Sequence, residues 1–152
     1  MSLGTRNTPE RNSAMLGGAA IENVTPATLT MTTSHINLTA AQLLKKLLPL
    51  NSTGAGNLVL PTATAIRAGK PAIVVGDMLE FRVINYGNDT TTLAVNTGIT
   101  NKVIDSEDAI LTIATHIGTM WALVCTAVAN PSDPSTSDTF DLYLLATGTV
   151  TS

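Results

Sequence analysis

Charge is what this chain has least of. Asp, Glu, Lys and Arg make up only 12% of its 152 residues, about half the ~25% usual in soluble domains. A single copy therefore has poor means of covering itself with solvated side chains, which predicts surface hidden against identical copies or a larger assembly. The net charge is −3 with a pI near 5.1, and the one basic cluster is Lys45-Lys46. Phosphate contacts need a positive footprint, so the balance argues against a nucleic-acid partner.

Other shortages exclude other classes. The single cysteine, Cys125, rules out an intrachain disulfide, and no Cys/His spacing fits a metal site. The apolar runs fall short of the roughly 20 residues of a membrane span. The opening "MSLGTRNTPERNSAMLGG" has no signal-peptide core, so the expectation is no membrane and no secretion. The sequons at Asn23, Asn37, Asn51 and Asn88 are then read as chance matches in a Thr-rich chain.

Catalytic groups are equally sparse. Nucleophilic catalysis needs a Ser, Cys or Thr beside a base that a third group holds. The only histidines, His35 and His116, fall at the ends of predicted strands and read as strand-end polar residues. Cys125 lies between Val124 and Thr126 with no basic neighbour, which suits a small core residue better than a nucleophile. "DSED" at 105–108 is the sole acidic cluster; it lacks the spacing and Gly of an EF-hand and reads as a turn. No phosphate-binding Gly-rich loop and no G-x-S-x-G motif occurs. The expectation is a non-enzyme without metal or cofactor.

What the chain does have is threonine, at 25 positions, together with Val, Ile, Ala and Gly. That composition favours pleated, half-buried strands. Residues 1–24 carry no sustained period and are read as an N-terminal arm, extended or flexible, ahead of a domain over 25–152. "ATLTMTTSH" (27–35) alternates as a strand. "LTAAQLLKKLLPL" shows helical spacing at Leu43, Leu44, Leu47 and Leu48, predicting a helix of about ten residues after an N-cap at Thr39 and stopped by Pro49. A further helical turn is expected through "PTATAIRAG", with Pro61 at its first position and Gly69 at its end.

"DMLEFRVINYG" and "DTTTLAVNTG", joined through Gly87-Asn88-Asp89, read as a β-hairpin. Later strands are "AILTIAT" (109–115), "GTMWALVCTAVA" (118–129) and "DTFDLYLLAT" (138–147), with the loop "NPSDPSTSD" before the last. The sum is an all-β fold: one jelly roll or β-sandwich of about eight strands with one or two short helical inserts. Period two puts Leu79, Phe81 and Val83 on the core side of their strand and Glu80, Arg82 and Ile84 on the other. In the 118–129 strand, Met120 and Val124 likewise fall opposite Trp121, Leu123 and Cys125. A sandwich strand has one buried face, so Glu80, Arg82, Ile84, Met120 and Val124 are the expected subunit interface. Tyr86, Asn88 and Asp89 form the candidate exposed binding loop.

One resemblance rests on these residues. "GNLVLPTATAIRAG" followed by "VGDMLEFRVINYGNDTTTLAVNTGIT" resembles a pattern of small virion proteins of double-stranded DNA viruses and bacteriophages: L-P-T-A after a short strand, G-D-x-x-x-F-x-V-I-N, then a Thr/Ala strand ending in T-G. "LTAAQLLKKLLPL" and "TFDLYLL" fit as well, so that the likeness spans residues 36–145. It implies a homotrimeric jelly roll on a capsid surface, decorating or cementing the shell through contact with the major capsid protein or another virion component, by the N-terminal arm or one end of the barrel. The alternative it leaves is a receptor- or glycan-binding head of a fibre or spike.

Overall fold

A computed structural model describes residues 25–32, 34–103 and 111–150. The chain is mostly β. Among the described residues the strands are β1 (Leu29–Met31), β2 (His35–Asn37), β3 (Leu47–Ser52), β4 (Gly56–Val59), β5 (Met78–Asn85), β6 (Thr91–Ala94), β7 (Ile99–Asn101), β8 (Thr112–Ile113), β9 (Ile117–Ala127) and β10 (Thr139–Thr149), and the helices are α1 (Ala40–Leu43) and α2 (Ala63–Gly69). The N-terminal arm expected at 1–24 lies outside the described residues.

The strands form a six-stranded sheet, in the order β1-β3-β5-β9-β10-β7, and a four-stranded sheet, β2-β4-β6-β8. Their inward side chains make one core. Leu50, Phe81, Trp121 and Phe140 from the larger sheet join Leu58, Leu93 and Ile113 from the smaller. This two-layer arrangement is sandwich-like, as the alternating strands predict. The order of the strands is not that of a jelly roll. From β1 to β9 successive strands alternate between the sheets, and five of the eight pairings are parallel: β1–β3, β3–β5, β2–β4, β4–β6 and β7–β10. The antiparallel neighbours that a jelly roll uses throughout occur at β5–β9, β9–β10 and β6–β8. From β1 to β6, and again at β8, the chain crosses to the opposite sheet and returns beside the strand two before it; β7 instead pairs with β10, and β9 with β5 and β10. That winding supplies the long crossover which parallel neighbours require.

Three local expectations change. The long helix shrinks to α1, which Thr39 caps as foreseen: its hydroxyl accepts from Gln42 N (3.2 Å) and its own N–H donates to Gln42 Oε1 (2.9 Å). After Leu44 the backbone turns left-handed at Lys46, φ 64°, and Leu48, Leu50 and Ser52 are buried at a spacing of two as β3. The apolar run fitted both periods; the strand period won. Pro49 lies inside that strand rather than stopping a helix. Arg82 N and Tyr86 N bond to the carbonyls of Lys46 and Leu50, whereas Ala27 N bonds to that of Leu47. Odd positions therefore face β1, and the N–H that Pro49 lacks points to where β1 has yet to begin. The turn at 61–69 is helical from Ala63, with Thr62 as its N-cap and Pro61 just outside.

The expected hairpin at 87–89 is the third change. β5 belongs to the six-stranded sheet and β6 to the four-stranded one, so Tyr86–Thr90 carries the chain across the core. Asn85 holds this crossing. It is fully buried; its Nδ2 donates to the carbonyls of Asp89 (2.8 Å), Ile113 (3.2 Å) and Ala114 (3.3 Å), and its Oδ1 accepts from Gly87 N (3.1 Å). One side chain ties the end of β5 to the loop and to β8. Gly87 is buried against Ser52, whose backbone a Cβ would strike, the carbonyl carbon at 2.7 Å. Here glycine is required for room rather than for its dihedral freedom. Of the strand expected at 109–115, Thr112–Ile113 pairs as β8; positions 109 and 110 lie outside the described residues.

Candidate interaction surface

Register determines which side chains share the outward face of the six-stranded sheet. β5 alternates strictly, with Leu79, Phe81, Val83 and Asn85 buried and Met78, Glu80 and Arg82 exposed. Phe81 stands beside Trp121 and Leu79 beside Leu123 on the inner face. Trp121 Nε1 donates to Thr119 Oγ1 (2.7 Å), whose hydroxyl donates to the Val83 carbonyl (3.3 Å), so the indole is buried with its polar edge satisfied.

The outward face consists of rows running across the strands. Glu80 neighbours Ala122, which neighbours Tyr143; Arg82 neighbours Met120, which neighbours Ala146; Ile84 neighbours Gly118, which neighbours Gly148; and Met78 neighbours Val124, which neighbours Asp141. All five expected interface residues, Glu80, Arg82, Ile84, Met120 and Val124, thus lie on one face of two adjacent strands. Glu80 and Arg82 are exposed, the other three half-buried. Around them the face is largely apolar, with Met78 54% and Tyr143 37% exposed, and the half-buried Asp141 beside Val124 adds one further charge. The glycines leave a hollow of about 330 Å³, lined by Arg82, Ile84, Gly118, Met120, Ala146 and Gly148 among others. Sequence reasoning missed this hollow and the exposed Leu145, which bulges where the β9–β10 register shifts between Leu144 and Ala146. Two glycines falling in one cross-strand row was the available signal, and it is readable only once the register is known.

A second apolar feature adjoins this face. Val74 and Val75 project from a turn that Gly76 closes at φ 92°. Asp77 Oδ2 accepts from Val74 N (3.1 Å), and Gly76 N donates to the Cys125 carbonyl (2.9 Å). The valines project from a turn that these bonds anchor on β9.

The loop Tyr86–Asp89 is elsewhere, at the end of β5. Tyr86 is 44% exposed, Asn88 exposed and Asp89 half-buried. Asn88 N and Asp89 N both donate to the Ser52 carbonyl (2.8 and 3.1 Å). Its order comes from the crossing that it makes, and Tyr86 is its one prominent side chain.

The chain matches no protein-family model, no curated protein and no solved structure.

Among the described residues the titratable groups do not converge. Among the described residues no three of His, Cys, Asp or Glu are placed to hold a metal ion; the acidic run at 105–108 lies outside them. Cys125 is buried, donating to the Ala127 carbonyl (3.5 Å). Burial pushes its thiol up, and the Asp138 and Asp77 carboxylates add to this against an opposing effect of Arg67. A thiol so disposed is a poor nucleophile at neutral pH. His116 caps the β8–β9 turn in a left-handed conformation, φ 58°, its carbonyl accepting from Val150 N (2.7 Å). Among the described residues no helix is long and apolar enough to cross a membrane.

Proposed function

We propose that this chain is a structural virion protein, a homotrimeric capsid decoration or cement protein that docks on and stabilises a viral shell. The observation carrying this reading is the outward face of the six-stranded sheet. A largely apolar surface with one acid and one base at its centre, laid on rigid strands, suits a permanent protein neighbour better than water. The low charge of the whole chain, the likeness of residues 36–145 to small virion proteins, and the scatter of titratable groups support the same reading. In this role binding and rigidity are the activity; no bond is made or broken.

Sedimentation of intact particles through a density gradient tests it. The chain should travel with the shells in fixed proportion to the major capsid protein, and shells stripped of it should open at a lower temperature. Recovery of the chain only from the soluble fraction would remove the proposal.

A further inference from the structure

The outward face is complementary to itself. We propose that its occupant is a second copy of this chain, packed face to face about a two-fold axis that crosses β5 at Phe81. The inference rests on the reading of this face as a subunit contact, and it gives that contact a partner and a symmetry.

Charge fixes the axis. Glu80 and Arg82 are neighbours on one face of one strand. A two-fold axis lying along the sheet, perpendicular to β5 and level with residue 81, places Glu80 over Arg82 of the second copy and Arg82 over its Glu80. Moved by one residue either way, to the level of Glu80 or of Arg82, or turned to run along the strands, the axis sets like charges at the same height. An isologous contact needs this self-pairing, and the two ion pairs, covered by apolar neighbours, are the charge-assisted kind.

Shape agrees with charge independently. The same rotation exchanges the rows on either side of residue 81. On β9, Met120 falls over Ala122 of the second copy and Val124 over its Gly118; on β10, Tyr143 falls over Ala146. At each place a larger side chain meets a smaller one. Val124 enters the glycine-floored hollow of about 330 Å³, and Met78 falls over Ile84 at its wall. Two sheets so packed lie within about 30° of antiparallel, the aligned sandwich packing. The contact is compatible with grouping in threes through another surface: trimers bearing this face outward would join in pairs.

Charge reversal tests the axis. Light scattering across a dilution series of the full chain should give an even number of subunits. Glu80→Arg alone and Arg82→Glu alone should each weaken that association by roughly tenfold or more, through like-charge juxtaposition. The double reversal should restore it, because the two-fold pairs each new charge with its new opposite. Both side chains are exposed on a central strand, and far-UV circular dichroism verifies that each variant folds. An odd-numbered assembly, a stable monomer, or single reversals that the double does not rescue would overturn the two-fold contact. Co-sedimentation with particles, measured on the same variants, reports separately on the shell reading.

Discussion

Asn85 decides where the chain leaves one sheet for the other. A strand-end asparagine in "VINYGND" is an ordinary turn signal, but here its amide is buried and makes four hydrogen bonds, to the Gly87 N–H and to the carbonyls of Asp89, Ile113 and Ala114. Among the described residues no buried side-chain nitrogen or oxygen lacks a partner, so this network is complete as it stands. Asn85→Leu keeps the side-chain volume and removes every bond, leaving at least one donor and several acceptors buried. Such groups cost about 1–3 kcal/mol each when orphaned. The variant should lose about 2–4 kcal/mol in urea unfolding with an unchanged m-value. A loss below about 1 kcal/mol would mean that water replaces the amide at the crossing.

At the scale of elements, the Asp133 carboxylate holds one turn of the loop between β9 and β10. Asp133 Oδ1 accepts from Ser135 Oγ (2.6 Å) and Ser135 N (3.0 Å), while the Asp133 carbonyl accepts from Thr136 Oγ1 (2.8 Å) and Asn130 bridges to Asp133. The two Ser135 bonds favour the charged form and hold Asp133 below its ordinary value of 3.8. The lower value in the folded state means that its contribution is complete above the ordinary carboxylate range and is lost as pH falls through the depressed value. A carboxyl-carbon NMR titration should place the Asp133 midpoint below 3.8, and Ser135→Ala should raise it. An unchanged midpoint in that variant would show that the hydroxyl is not the cause.

The same scale shows how much was legible. Strands with strict alternation were readable: β5 buries Leu79, Phe81 and Val83 as period two requires, and both long late strands exist near their expected limits. The 39–48 segment was not readable, because Leu43, Leu44, Leu47 and Leu48 satisfy a helical stripe while Leu48 and Leu50 satisfy a strand, and only the neighbours β1 and β5 decide between them. The hairpin failed for a related reason. Gly87-Asn88-Asp89 tolerates a tight turn, yet nothing local says that the following strand pairs with β4, thirty-odd residues earlier. Strand identity is local; strand partnership is not. That the five expected positions share one outward face was legible through alternation, but their rows, and the hollow at Gly118 and Gly148, depend on register.

For the whole molecule the decisive property is that the large sheet has two apolar faces and only one core. The inner face is packed into the core, with Trp121 and Phe81 fully buried; the outer face carries few charges and holds the hollow at Gly118 and Gly148. Stability of the fold and stability of the assembly should therefore be separable. Met120 lies at the centre of the outer face, beside Arg82 and Ala146, and is half-buried within one subunit. Met120→Lys can extend its ammonium into water in the isolated subunit but not in a closed contact, where an unpaired charge must be desolvated. It should leave the circular dichroism spectrum unchanged and weaken self-association by tenfold or more, which is about 1.4 kcal/mol. Thr126→Lys, at the exposed far end of β9, should leave the association as it was. Equal effects from the two lysines would point to general charge repulsion instead of a contact centred on Met120. A Met120→Lys chain that assembles normally would place the contact on another surface of the molecule.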